Sequence, residues 1–91
     1  MEFEWAENKN KLNKEKHDIE FNDAKEVFND PKRTNSEDKR KDYGEKRWIT
    51  IGKVANVFLT VVYTGRDAIR IISARRSNSK ERNEYNYNKT Q

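Results

Sequence analysis

The side chains of this 91-residue chain that are equipped for chemistry are few and well separated. His17 is the only histidine and there is no cysteine, which excludes thiolate nucleophiles, disulfides and a histidine-rich or thiolate zinc site built from one chain. Histidine changes charge near neutral pH and so can give or take a proton in a reaction; at the end of a helix it also serves as a dipole partner or cap. Glu45 and Arg47 stand two residues apart at the entry to an apolar stretch. Strand alternation turns both to one side of a sheet, where a carboxylate beside a guanidinium can accept a proton while the arginine grips a phosphate. The same spacing also makes a plain surface ion pair. Arg70 and Arg75 close the string Arg70-Ile71-Ile72-Ser73-Ala74-Arg75. Alternation sends them to opposite faces unless a bulge or strand end intervenes. On an open face Arg70 clamps a phosphate, while Arg75 anchors the last helix or meets a ligand from the rim; alternatively both pair with carboxylates such as Glu45 or Glu81. Tyr43, Tyr63 and Tyr85 can stack a base or offer a hydroxyl to phosphate, or else pack in the core or at its rim.

Charge is distributed in a way that favours an anionic partner. The net charge is +4, but residues 1–45 carry 10 basic and 13 acidic groups (−3) and residues 46–91 carry 10 basic and 3 acidic (+7). Six of the ten basic residues in the second half are arginines, whose planar fork holds a phosphate through two parallel hydrogen bonds. Charged residues make up 40% of the chain and apolar ones 32%, so the core is small and a permanent partner would support it. The length suits one domain over residues 1–91. No window approaches the ~18 apolar residues of a membrane span, and the acidic start at Glu2 and Glu4 is unlike a leader; a soluble, cytoplasmic protein with no membrane partner and no cofactor is expected.

These groups need elements to position them. Glu2-Phe3-Glu4-Trp5 alternates as a short strand or anchoring arm. Residues 7–16 favour a mostly solvated helix docking through Leu12, ended by Asp18. Phe21, Ala24 and Phe28 predict a second helix over 21–29, stopped by Asp30-Pro31. The polar stretch 32–46 reads as a loop with a short edge strand near 33–36. Between Trp48 and Ala74, 16 of 27 residues are apolar, which predicts strands over 46–54, 57–64 and 68–75, in an antiparallel meander because the breaks are too short for a crossover helix. Apolar residues at both parities of the middle strand require cover on both faces. A last helix over 79–87 is capped by Ser77 or Asn78, has Glu81 in its first turn and packs Tyr85 on the sheet. The fold class is α+β: an antiparallel sheet of three to four strands, two N-terminal helices and one C-terminal helix.

Taken together, Phe3-Glu4-Trp5, Lys9, Asn13, Lys16-His17, Phe21, Ala24, Val27-Phe28, Asp30-Pro31, Gly44-Glu45-x-Arg47, Val61-Val62-Tyr63-Thr64-x-Arg66 and the Arg70 to Arg75 string followed by Glu81-Arg82 and Tyr85 resemble the BrnT family of toxins. The resemblance runs almost end to end, with Ala6, Asp18 and Ser77 departing from the family pattern. It implies a RelE-like fold and the toxin half of a bacterial type II toxin–antitoxin system. It also implies a ribonuclease that halts translation and is neutralised in a 2:2 complex by BrnA, a ribbon-helix-helix antitoxin that carries the binding to operator DNA. The chemistry so implied is metal-independent RNA cleavage, in which the 2′-hydroxyl attacks its own 3′-phosphate. Glu45 or His17 takes the 2′ proton, Arg70 with Arg47, Arg66 or Arg75 stabilises the phosphorane, and His17 or a tyrosine protonates the 5′ oxygen. Two other functions fit the same charge pattern: a non-catalytic RNA- or protein-binding module, and a co-repressor that acts only within the antitoxin complex.

Overall fold

A computed structural model describes residues 1–65 and 67–89 of the chain. In chain order the described elements are β1 (Phe3–Glu4), α1 (Glu7–His17), α2 (Phe21–Ala24) running into a 3-10 turn (Lys25–Asn29), β2 (Ser36–Glu37), β3 (Trp48–Val54), β4 (Val57–Gly65), β5 (Ile69–Arg76) and α3 (Ser79–Lys89). The strands form one sheet in the order β1-β5-β4-β3-β2. The α+β class and the β3-β4-β5 meander agree with expectation, but the sheet has five strands and is mixed. Phe3 and Glu4 pair in parallel with Ile69 and Arg70. The short strand expected around Phe3 is present, and its parallel direction is not something alternation could show.

One face of the sheet holds the core. Leu59, Val61 and Tyr63 of β4 and Ile71 and Ala74 of β5 pack against Phe21, Ala24, Val27 and Phe28. The α-helix expected over 21–29 lasts one turn and then tightens. With three residues per turn, a 3-10 segment stacks Val27 below Ala24, and Val27 lies so close over β3 that a Cβ on Gly52 would stand 2.6 Å from Val27 Cγ1. The β3–β4 hairpin closes through Ala55 and Asn56, both with positive φ (47° and 69°), as a two-residue turn requires. The sheet's other face is covered at one end only, by α3, whose Tyr85 ring meets Phe58 edge-on at 5.2 Å. The expected two-sided cover of β4 is thus met at Thr60, which is buried, while Val62 is half-buried.

The docking of α1 departs from expectation. Leu12 is 61% exposed, and the helix is held by two buried asparagines. Asn13 donates to Ala74 O (2.8 Å) and Ile19 O (2.9 Å) and accepts from Ala74 N (3.1 Å), so its amide stands in for a neighbouring strand on the outer edge of β5. Asn10 accepts from Phe21 N at 2.8 Å. An unpaired backbone edge is costly to bury, and here an amide that both donates and accepts satisfies it where an aliphatic stripe could not. Asp18 ends α1 in a left-handed conformation (φ 58°), with its N–H on Lys14 O. Ser77 is buried with its hydroxyl 2.8 Å from that of Thr60.

Candidate functional site

The decisive local feature is a β-bulge. Pairs Leu59↔Arg76 to Val62↔Ser73 hold one register and Tyr63↔Ile71 to Gly65↔Ile69 another, so Ile72 is an extra residue in β5. The bulge cancels the alternation that would separate the two arginines. Arg70 now sits opposite Thr64 and Arg75 opposite Thr60, four residues apart on β4, so both point to the same face, the one that α3 covers only in part.

At one end of this face four of the expected residues come together. Arg70 Nη1 lies 3.9 Å from Glu4 Oε1, and Arg47 Nε lies 3.2 Å from Glu45 Oε2. Glu4, Glu45, Thr64, Ala68 and Arg70 line a cavity of about 140 Å³. The Arg47 guanidinium stacks 4.1 Å above the Tyr43 ring. The Tyr43 hydroxyl donates to Asp38 Oδ2 at 3.1 Å, and Asp38 also receives Arg40 through Nε and Nη2, both at 2.8 Å. The Asp38 N–H in turn donates to Arg47 O at 2.8 Å, which ties this loop to the start of β3. Asp38 is 5% exposed. Its hydrogen bonds from Arg40 outweigh the opposing effect of burial and hold its carboxyl well below the usual range, while Asp38 raises the Arg40 guanidinium further.

The other end is built differently. Arg75 donates to both oxygens of Glu81, Nη1 to Oε1 at 2.7 Å and Nη2 to Oε2 at 2.6 Å. Glu81 also accepts from Asn78 N (2.8 Å), and Asn78 Oδ1 accepts from Glu81 N (2.9 Å), a reciprocal capping box at the start of α3. Burial opposes ionisation of Glu81, but the bonds from Arg75 and Asn78 prevail and keep it below its ordinary value; Glu81 raises Arg75 correspondingly. Between Arg40 and Arg75 lies a cavity of about 380 Å³ floored by Ile49, Ile51 and Val62.

The remaining expected residues are elsewhere. His17 lines a separate cavity of about 220 Å³ with Lys9, Lys16 and Ile72, between α1 and the bulge, away from Glu45 and Arg70. Tyr63 is 8% exposed; its ring meets Phe28 edge-on and its hydroxyl donates to Asn35 Oδ1. Tyr85 is 4% exposed and donates to Asp30 Oδ2 at 2.7 Å. Both rings are packed in the interior, the second of the two places expected for them. Arg66 lies outside the described residues. Asp38 and Arg40 were hidden in a segment that reads as solvated loop; the one signal for them is an acid two residues from an arginine with a tyrosine close behind.

The open sheet face thus carries guanidinium groups at both ends with an apolar floor between them. The chain matches the family described as "Ribonuclease toxin, BrnT, of type II toxin-antitoxin system" over residues 5–81, and it belongs to that family. No curated protein matches it. Among the described residues no helix is long and apolar enough to cross a membrane.

Proposed function

We propose that the chain cleaves RNA on the bulged face of the sheet and is the toxin of its pair. The observation that carries this reading is the Ile72 bulge, which sets Arg70 and Arg75 on one open face with Glu45 and Arg47 beside Arg70. In this reading Glu45 takes the 2′-hydroxyl proton, the 2′ oxygen attacks the adjacent phosphorus, and the bond to the 5′ oxygen breaks, leaving a 2′,3′-cyclic phosphate and a 5′-hydroxyl. Arg70 and Arg47 offset the extra negative charge of the phosphorane, so no metal is needed for that task. His17 stands away from this end, so the 5′ oxygen takes its proton from Tyr43 or from water, and Glu45 returns its proton to solvent.

The partner in this reading is a BrnA-like ribbon-helix-helix antitoxin in a 2:2 complex. It blocks the face in the cytoplasm and carries the contacts to operator DNA, while residues 1–91 of this chain form a single RelE-like toxin domain. Expression of the chain alone in bacteria tests it. Growth arrest with RNA fragments ending in 2′,3′-cyclic phosphate, relieved by the antitoxin, is expected. Harmless accumulation, or operator binding by the complex with intact RNA, would replace the ribonuclease with a binding module or a co-repressor.

A further inference from the structure

We propose that the cavity between the sheet and the start of α3 is a nucleobase subsite, taking the base of a nucleotide that neighbours the cleaved linkage. The proposal rests on the ribonuclease reading for the other end of the face. Its own support is in the cavity. The floor of Ile49, Ile51 and Val62 is apolar, and Ser73 and the guanidinium groups of Arg40 and Arg75 stand at the rim. A bare phosphate gains nothing from an aliphatic floor. A base, with apolar faces and hydrogen-bonding edges, matches both floor and rim.

Both arginines are fixed before any ligand arrives. Each gives two N–H groups to a carboxylate, Arg40 to Asp38 and Arg75 to Glu81, so of five donors each retains others for a ring edge or a phosphate. A volume of about 380 Å³ falls in the range of small-molecule sites, roughly 300–1,000 Å³. The spacing also fits a strand. Thr64 and Thr60, the partners of Arg70 and Arg75, are four residues apart on β4, roughly 13 Å at about 3.3 Å per residue. One nucleotide does not fill both ends, and a short single strand laid along β5 does.

Two measurements on the full chain test the subsite. In the first, methyl NMR signals of Ile49, Ile51 and Val62 are followed while nucleoside 5′-monophosphates, ribose 5-phosphate and inorganic phosphate are added in turn. Shifts with nucleotides and none with the other two are expected. Equal shifts with inorganic phosphate, or no shift with any nucleotide at millimolar concentration, would overturn the proposal. In the second, the ends left by cleavage of a random RNA pool are sequenced for the parent and for Ile49→Thr and Val62→Thr, each first checked for an unchanged amide spectrum. A preference of about fivefold or more for certain bases at one position beside the cut is expected in the parent, collapsing toward none in the variants. The same preference in all three proteins would remove the subsite and leave the ribonuclease standing. If the parent cuts no RNA, the ribonuclease reading falls, and the titration alone decides whether the cavity takes a base.

Discussion

The two ends of the bulged face use the same residue types in opposite ways. At the Arg75 end, carboxylate and guanidinium meet with two short bonds, and Glu81, 14% exposed at its side chain, is further tied to the Asn78 backbone. At the Arg70 end the pairs are single and longer, 3.9 Å to Glu4 and 3.2 Å between Glu45 and Arg47. A bidentate pair that is half-buried fixes shape, and an open, single contact leaves charge available to a ligand. Ion pairing by itself therefore does not show which arginines are held in one place and which are free to move onto a ligand; the number of bonds and the depth of the carboxylate do.

The sharpest way to break this comparison is by activity. Glu45→Ala and Arg70→Ala are each expected to lower RNA cleavage by about 100-fold or more, measured on a defined oligonucleotide with purified protein. Full activity in both variants would take them out of the reaction. Their stability is the counterpart: the Glu45–Arg47 contact is open to water, so Glu45→Ala is expected to shift the unfolding free energy by less than about 0.5 kcal/mol. Glu81→Ala should behave the other way. It removes a helix cap, about 1 kcal/mol, and a pair whose arginine is 38% exposed and so is discounted for screening to about 1 kcal/mol. Denaturant unfolding should show a loss near the sum. Because the Glu81 carboxyl is held below its ordinary value in the folded protein, its contribution is present above about pH 4.3. That contribution fades as pH falls through the folded value, so the gap between parent and Glu81→Ala should narrow in acid. A gap that widened in acid would contradict the assignment.

How far the sequence could be read varies with the physics of each element. The three long strands announced themselves by runs of valine and isoleucine, and Asn78 with Glu81 marked the start of α3, because these signals are local. The face on which the arginines meet was not local: alternation alone put Arg70 and Arg75 on opposite sides, and only the paired register of β4 and β5 exposes the extra residue at Ile72. The docking of α1 departs from its local pattern for a related reason. Leu12 is the aliphatic residue a hydrophobic stripe would choose, yet Asn13 does the work, through an edge of β5 that is 61 residues away in sequence. Asn13→Leu therefore tests whether the amide or the apolar contact holds the helix. It leaves the Ala74 N–H and C=O buried without partners, and a loss of about 2–3 kcal/mol is expected by chemical denaturation. A neutral or stabilising result would restore the hydrophobic account. Asp38 resisted reading altogether, since its partners Arg40 and Tyr43 lie in a stretch with no period at all.

A smaller loss than that of Asn13→Leu or Glu81→Ala concerns two tyrosines that each donate to an aspartate, Tyr43 to Asp38 at the ligand-facing edge and Tyr85 to Asp30 beneath α3. Burial, with help from Asp30, pushes the Tyr85 hydroxyl up to about 12. A phenol whose folded value is raised stabilises the fold fully below its unfolded value near ~10, and this contribution is lost as pH rises toward the folded value. Tyr85→Phe should cost about 1 kcal/mol at neutral pH, seen in denaturant midpoints. Between pH 10 and 12 the parent should lose stability faster than the variant, so the two curves converge. Other groups titrate in that range in both proteins, and the difference between them isolates this hydroxyl. Parallel curves across the alkaline range would mean that the Asp30 contact is open in solution.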